Sequence, residues 1–209
     1  METLNIIKDI VTIIAALATV TIAALGLYTW KRQLKGTKRF DIALEAMLET
    51  RLLQDSIAFF RAPFISAGEA IDVFKEQEGK DPDFLNREEN DKANDYAMAA
   101  RWRSISAAYR KYEHSMLQAE ILLREPQLKP ENRRALRDRI IDLQIQFENH
   151  RRLTAMVKRS GSEENGRHLY QQLEEAGKTV YSSHTPDLFG ESLKEAFTPI
   201  FSALERHLQ

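Results

Sequence analysis

The chain has 209 residues, of which 43% are hydrophobic and 29% charged, and its formal net charge is −1. This balance suits a folded domain rather than a disordered one, and the near-zero charge excludes a global field that would recruit nucleic acid or an acidic substrate. Cysteine is absent, which removes disulfides, thiolate nucleophiles and cysteine-based zinc sites together.

The scarcity of glycine (8) and proline (6) points to long helices with few turns. From Ile10 to Trp30 the chain carries twenty-one residues without a charge, nearly all Ile, Val, Ala, Leu or Thr. As a helix this run spans roughly 31 Å, the hydrocarbon thickness of a bilayer. Leu27, Tyr28 and Trp30 bring it to a headgroup level where amphipathic rings are favoured. Five cations follow within nine residues, Lys31, Arg32, Lys35, Lys38 and Arg39, against Lys8 and the acids Glu2 and Asp9 on the other flank. The positive-inside rule therefore places the N-terminus outside and everything after Lys31 in the cytoplasm. Two other readings compete with the anchor. A cleaved signal peptide would carry its cations before the apolar run, and a buried core helix would rarely stay uncharged this long. Ala15, Thr19 and Ala23 recur every fourth residue, a small-residue face on which anchors could self-associate.

Beyond the anchor no strand signal appears, and helical punctuation is frequent. A first helix runs through Phe40, Ala43, Met47, Ile57 and Phe60. Pro63 breaks or kinks it, and an extension reaches Glu78 before Gly79. The next connection contains Asp81 as a candidate cap and Pro82 as a first helical residue. Met98, Trp102, Ile105, Tyr109, Tyr112, Met116, Ala119 and Leu123 then alternate steps of four and three, a seam of coiled-coil type. Pro126 and Pro130 bracket a stop and restart. The following helix keeps the rhythm with Leu136, Ile140, Leu143, Phe147, His150, Thr154 and Val157. The short loop implies that these two arms are antiparallel neighbours. Gly161 ends the second arm, and Ser162 is a candidate cap for a weaker helix with Leu169, Leu173, Ala176 and Val180. Thr185-Pro186-Asp187 reads as a helix start, and Phe189, Leu193, Phe197, Ile200, Leu204 and Leu208 form the last apolar face, with Pro199 expected to bend it.

The expected architecture is all-α: one N-terminal transmembrane helix followed by a cytoplasmic antiparallel helical bundle with coiled-coil-like long helices. Residues 1–30 form the N-terminal segment and anchor, 31–39 a basic juxtamembrane segment and 40–209 the helical cytoplasmic domain. The predicted location is the inner (plasma) membrane.

Catalytic chemistry finds little support. No phosphate-cradling glycine loop and no HExxH motif occur, and the residues three before the five histidines are Lys111, Phe147, Asn165, Tyr181 and Leu204, so the Glu-x-x-His pair of di-metal bundles is missing. No catalytic residue, metal or cofactor is assigned, and no enzyme activity is expected. Glu69, Asp72 and Glu120 are acids that an unrecognised site could use, without a base or metal aligned to them. His150, alone among the histidines on a seam, reads as a core histidine with a hydrogen-bond partner or as a pH sensor. Trp102, Tyr109 and Tyr112 read as core packing before a ligand box. Between Lys129 and Arg159 there are nine Lys or Arg against four Asp or Glu. Arg133, Arg134, Arg137, Arg151 and Arg152 could touch phospholipid or nucleic acid. The plainer reading is a solvated face paired with acids at 81–95 or with Glu174 and Glu175, and no nucleic acid is expected.

The junction Tyr28-Thr29-Trp30-Lys31-Arg32-Gln33-Leu34-Lys35-Gly36, the later Arg61-Ala62-Pro63-Phe64, and the helix holding Ala100-Arg101-Trp102-Arg103 and Ala119-Glu120-Ile121-Leu122 resemble a group of bacterial single-pass membrane proteins of similar length and unknown function. The resemblance covers most of the chain. It implies an anchor followed by helices and carries no activity. The expected role is a membrane-anchored interaction or scaffold protein whose partners are membrane lipids, a protein partner that the sequence does not name, and further copies of itself. The alternative is an oligomeric membrane effector or stress and defence component acting on the bilayer, and an enzyme with an unrecognised site is the least supported reading.

Overall fold

The computed structural model describes the backbone of residues 2–80, 84–160 and 163–209, with side chains at 14, 17–80, 84–159 and 167–209. The side chains of Ile10 and Ala15 lie outside the described residues, as do Asp81, Pro82, Gly161 and Ser162. Among the described residues there are six α-helices and no strand: α1 (Glu2–Phe60), α2 (Ala67–Glu78), α3 (Arg87–Leu123), α4 (Pro130–Ser160), α5 (Glu163–Val180) and α6 (Leu188–Glu205). The all-α expectation holds. The chain divides into two compact units, Met1–Ile42 and Ala43–Gln209.

In the second unit the core is built by one face from each of four helices. Ala43, Ala46, Leu53, Ile57 and Phe60 on α1 are buried at helical spacing, as are Ile105, Tyr112 and Met116 on α3, Leu136, Leu143 and Phe147 on α4, and Leu193, Phe197, Ile200 and Leu204 on α6. Three rings lock three of these helices at one level. Phe60 meets Trp102 edge-on at 5.4 Å and Phe147 edge-on at 5.1 Å, while Trp102 stacks on Phe147 at 6.0 Å. Such pairs add about 0.5–1.5 kcal/mol each beyond the area they bury. The α6 helix joins through Arg51, whose guanidinium lies 4.8 Å from the centre of the Phe201 ring.

The two arms are antiparallel, as their short connection requires. Lys158 near the end of α4 bonds Asp91 near the start of α3 at 2.9 Å, Trp102 stacks on Phe147 midway, and Arg133 near the start of α4 reaches Glu113 at 3.2 Å. Every residue of both expected seams is buried or half-buried. Between the arms Pro126–Leu128 form a single 3-10 turn whose Leu128 is fully buried, and Pro130 opens α4. The α2 helix packs on α3 through Ala70, Phe74 and Ala93, and α5 covers α4 near Leu153, Ala176 and Val180.

Helix ends differ from the expectation at two places, the starts of α3 and α6. Of the two outcomes expected at Pro63, a break or a kink, the chain shows the break: α1 stops at Phe60, and Ser66 caps α2 by accepting from the Glu69 N–H. Gly79 takes the left-handed conformation (φ 67°) that closes α2, as its position suggested. The α3 helix starts at a reciprocal capping box, Asn86 with Glu89, both bonds 3.0 Å. The cap of α6 is Asp187, which accepts from the Gly190 N–H at 2.9 Å, so Thr185 and Pro186 precede the helix rather than start it. Pro199 lies inside α6, which continues through it.

Truncating the ring that two helices share tests this core. Phe147→Ala is expected to destabilise the second unit by about 3–5 kcal/mol, whereas Ile145→Ala at an exposed position of the same helix stays within about 0.5 kcal/mol. Urea denaturation of the full chain in detergent reads both.

Candidate functional site

Within the first unit the described side chains of the apolar stretch are exposed. Ile14, Leu17, Val20, Ile22, Leu25, Leu27, Tyr28 and Trp30 are each between 61% and 70% exposed. Thr19 and Ala23 are exposed beside them. Two threonine hydroxyls of this stretch turn inward on their own helix. Thr21 donates to the Leu17 carbonyl at 2.8 Å and Thr29 to that of Leu25 at 2.9 Å, so neither needs an outside acceptor. Lys31, Arg32, Lys35 and Lys38 follow as exposed cations. Among the described residues no helix is long and apolar enough to cross a membrane. The expected span begins at Ile10, among side chains outside those residues.

In the second unit the aromatic seam packs against its neighbours, with Tyr112 buried and Trp102 and Tyr109 half-buried. Trp102 belongs to the three-ring contact, and Tyr109 stacks on Tyr112 at 5.9 Å. Burial and the nearby Glu113 push the Tyr109 hydroxyl up to about 12, and burial holds that of Tyr112 far above the usual phenol range. The basic arm divides. Arg133 is buried and donates to the Leu128 carbonyl at 2.8 Å and to Glu113, with Glu120 at 3.8 Å. It is therefore a structural clamp on the turn between the arms and not part of a lipid or nucleic-acid face. Arg134, Arg139 and Arg151 pair along their own helix with Asp138, Asp142 and Glu148. Lys158 alone among the described cations of the arm reaches an acid of the 81–95 segment, Asp91.

Two further arginines sit where α1 ends. Arg101, 3% exposed, uses all five N–H donors. Two grip the Glu69 carboxylate at 2.7 Å each, and three go to the carbonyls of Phe59 (3.2 Å), Ala62 (3.0 Å) and Phe64 (3.0 Å). Arg61, 4% exposed, makes a second fork onto Asp187 at 2.9 and 2.7 Å and donates to the Thr179 carbonyl at 2.9 Å. Its own carbonyl accepts from the Ser182 N–H at 2.9 Å. Gly190 is required beside this fork, because a Cβ there would collide with the Asp187 carboxylate and lie 3.0 Å from Arg61 Nη1. Glu69 is thus fully engaged by Arg101 and is not a free acid. Sequence reasoning missed both arginines because a lone Arg in a helical pattern reads as surface. The only hint was an arginine directly flanking a proline break.

Beside this break a groove of about 420 Å³ opens, lined by the start of α3, the end of α4, the linker after α1 and Tyr181. His150 forms part of its wall, edge-on to Tyr181 with ring centres 5.2 Å apart. Burial depresses the His150 imidazole and raises the Tyr181 hydroxyl. His150 is therefore half-buried on the seam as expected, but among the described residues its ring has no hydrogen-bond partner. Among those residues no group of three His, Cys, Asp or Glu is placed to hold a metal ion. No protein-family model matches the chain, and searches of curated proteins and of solved structures return no match either.

The Arg61–Asp187 fork makes stability depend on pH with a definite sign. Chiefly through the bond from Arg61, the Asp187 carboxyl is held below its ordinary value of 3.8. A depressed carboxylate stabilises the fold fully above its unfolded value and loses that contribution as pH falls through the lower folded one. Asp187→Asn is expected to lower the melting temperature at neutral pH and to flatten its decline below about pH 4. Melting curves across an acid series check this, and an unchanged acid limb would remove Asp187 from the account.

Proposed function

We propose that the chain is a membrane-anchored helical interaction protein, with Ile10–Trp30 as the span and residues 40–209 as a cytoplasmic binding domain. The observation that carries this reading is the exposed apolar side chains of Ile14 and of residues 17–30, followed at once by an exposed cationic collar. Each large aliphatic side chain of that stretch gains about 1.5–3 kcal/mol on leaving water, and the described ones are exposed. Lipid supplies that burial. The self-bonded Thr21 and Thr29 suit the same surroundings, where an unsatisfied hydroxyl would be costly. Lys31, Arg32 and Lys35 then face anionic headgroups, at about 1 kcal/mol per charge.

The interaction role is supported by what the second unit offers: a rigid helical body with exposed apolar side chains at Leu44, Leu48 and Leu52 on α1 and at Ile141 and Ile145 on α4. Further copies of the chain could meet through Ala15, Thr19 and Ala23, and the likeness to bacterial single-pass proteins agrees with this architecture. Neither an activity nor a cofactor is part of the proposal.

Topology is the test. A tag after Gln209 is expected to resist protease added to intact cells and to be digested once they are permeabilised, and the protein is expected to stay with membranes in alkaline carbonate. Ile22→Lys should cost about 2.5–3.5 kcal/mol of insertion and move protein into the soluble fraction. A tag cleaved in intact cells, or unaltered partitioning of the lysine variant, would overturn the assignment.

A further inference from the structure

We propose that the groove between α1 and α6 binds a small carboxylate with an apolar body, its head on Lys194 and Arg61 and its body on Ile57, Leu193 and Phe197. This groove of about 310 Å³ lies wholly within the second unit. Three charged side chains line it, Arg61, Asp187 and Lys194, so two cations stand against one anion. Asp187 is already engaged, accepting two bonds from Arg61 and one from the Gly190 N–H. Lys194 is exposed and makes no ion pair among the described residues. Its acidic neighbours on α6, Glu191 and Glu195, do not line the groove. At about 100° per residue they fall on one side of Lys194, and Gly190 and Phe197 fall on the other. One carboxylate brings the charge of the lining to zero.

The hydrogen-bonding groups select the same head. Arg101 uses all five of its N–H donors, whereas the buried Arg61 uses four: Nε to Thr179, Nη1 to Asp187, and Nη2 to Asp187 and Tyr181. The second N–H of Nη1 has no acceptor among the described residues. Nη1 stands 3.0 Å from where a Gly190 side chain would begin, so the absent Cβ leaves space at that donor. Gln54 turns its oxygen to Arg51 Nη1 at 3.0 Å, which leaves its amide nitrogen as a donor. The Ser182 hydroxyl already donates to the Arg61 carbonyl. The groove thus offers N–H donors from Arg61, Gln54 and Lys194 and no free carboxylate, and an acceptor-only head complements them. Beside these donors the buried Ile57, Leu193 and Phe197 form an apolar wall that suits a hydrocarbon body. The volume lies at the small end of ligand pockets and fits a small acid rather than a large cofactor.

The groove joins α1, Ser182 and α6, the elements that Arg61 and Asp187 couple. A ligand that bridges them favours their folded arrangement and raises the melting temperature. All of these residues belong to the second unit, so binding does not depend on whether residues 10–30 enter lipid.

The experiment uses the full chain in a non-ionic detergent at neutral pH, with hexanoate as probe and hexan-1-ol and hexylammonium as neutral and cationic counterparts. Calorimetric titration and thermal shift are read together at matched free concentrations. Hexanoate is expected to bind saturably and to stabilise the protein. Hexan-1-ol is expected to bind at least about tenfold more weakly, and hexylammonium not at all. Lys194→Gln should weaken hexanoate by at least about tenfold while the unliganded melting temperature stays unchanged, since Lys194 is exposed and makes no ion pair among the described residues. Gln54→Glu keeps an acceptor for Arg51 but adds a negative charge to the lining, and it should abolish binding. Lys111→Gln removes an exposed lysine outside the groove and should leave affinity intact. Dodecanoate separates two sources of the acid: tighter binding than hexanoate assigns a lipid-derived chain, and equal or weaker binding a small soluble acid. Equal binding of the alcohol, full affinity in Lys194→Gln, or an equal loss in Lys111→Gln would each overturn the proposal. An absence of saturable hexanoate binding would overturn it as well.

Discussion

A helix that ends inside a protein leaves its last carbonyls without partners, and unpaired buried carbonyls are costly. The α1 helix ends in this way at Phe60, a fully buried residue at the centre of the aromatic contact between helices. Pro63 ensures that the helix cannot simply continue, and the chain must leave the core before Ser66 caps α2. Arg101 resolves the problem from the neighbouring α3: one guanidinium reaches the carbonyls of Phe59, Ala62 and Phe64 together. That places a charge in the interior, and Glu69 on the first turn of α2 neutralises it with two short bonds. One side chain therefore fixes where α1 stops, where α2 starts and how both sit on α3.

Arg61 does the corresponding work for the far end of the chain. It belongs to the same break, yet its donors go to Thr179, Tyr181 and Asp187, more than a hundred residues away. The segment between α5 and α6 has little apolar content of its own, so hydrophobic burial alone would not define its path. Charge-assisted bonds do so with directional accuracy. Asp187 serves twice, as the partner of Arg61 and as the cap of α6 through the Gly190 N–H. This coupling ties the start of α6 to the end of α1, on whose face α6 then packs. Removing either partner would leave the other without its counter-charge.

What could be read from the sequence and what could not follow from the range of the forces involved. The seams of α3 and α4 were legible because they rest on local period: Ile105, Tyr112, Met116, Leu136, Leu143 and Phe147 all face the core. The breaks at Pro63, Gly79 and Pro126–Pro130 were legible for the same reason. The box of Asn86 with Glu89 is also local in sequence, but Asp81-Pro82 carries the stronger cap-and-proline signal. The buried arginines were not legible, since the spacing of Arg101 from Glu69 or of Arg61 from Asp187 follows no rule until the helices are placed. The groove at His150 is assembled from four distant stretches, and no pattern within any one of them marks it. Sequence period placed His150 on the seam as a core histidine with a partner; it is half-buried there, and among the described residues its ring has no hydrogen-bond partner.

Within α1 two kinds of helix follow one another, and the difference lies in the distribution of apolar residues rather than in their number. From Ala43 to Phe60 the buried positions 43, 46, 50, 53, 57 and 60 recur at steps of three and four, the mark of a helix with one face on a core. From Leu17 to Trp30 no face is distinguished: aliphatic residues surround the helix and all are exposed. A helix apolar all round requires an apolar medium all round, which a one-sided protein core does not provide. Threonine behaves consistently across the change. Thr21 and Thr29 bond back four residues, and the fully buried Thr50 does the same to Ala46 at 2.6 Å. Where water is excluded, by packed side chains at Thr50 or by lipid in the proposed reading at Thr21, the hydroxyl meets the same need on its own helix. The cationic collar lies between these stretches without ending the secondary structure, and α1 runs through it without a break.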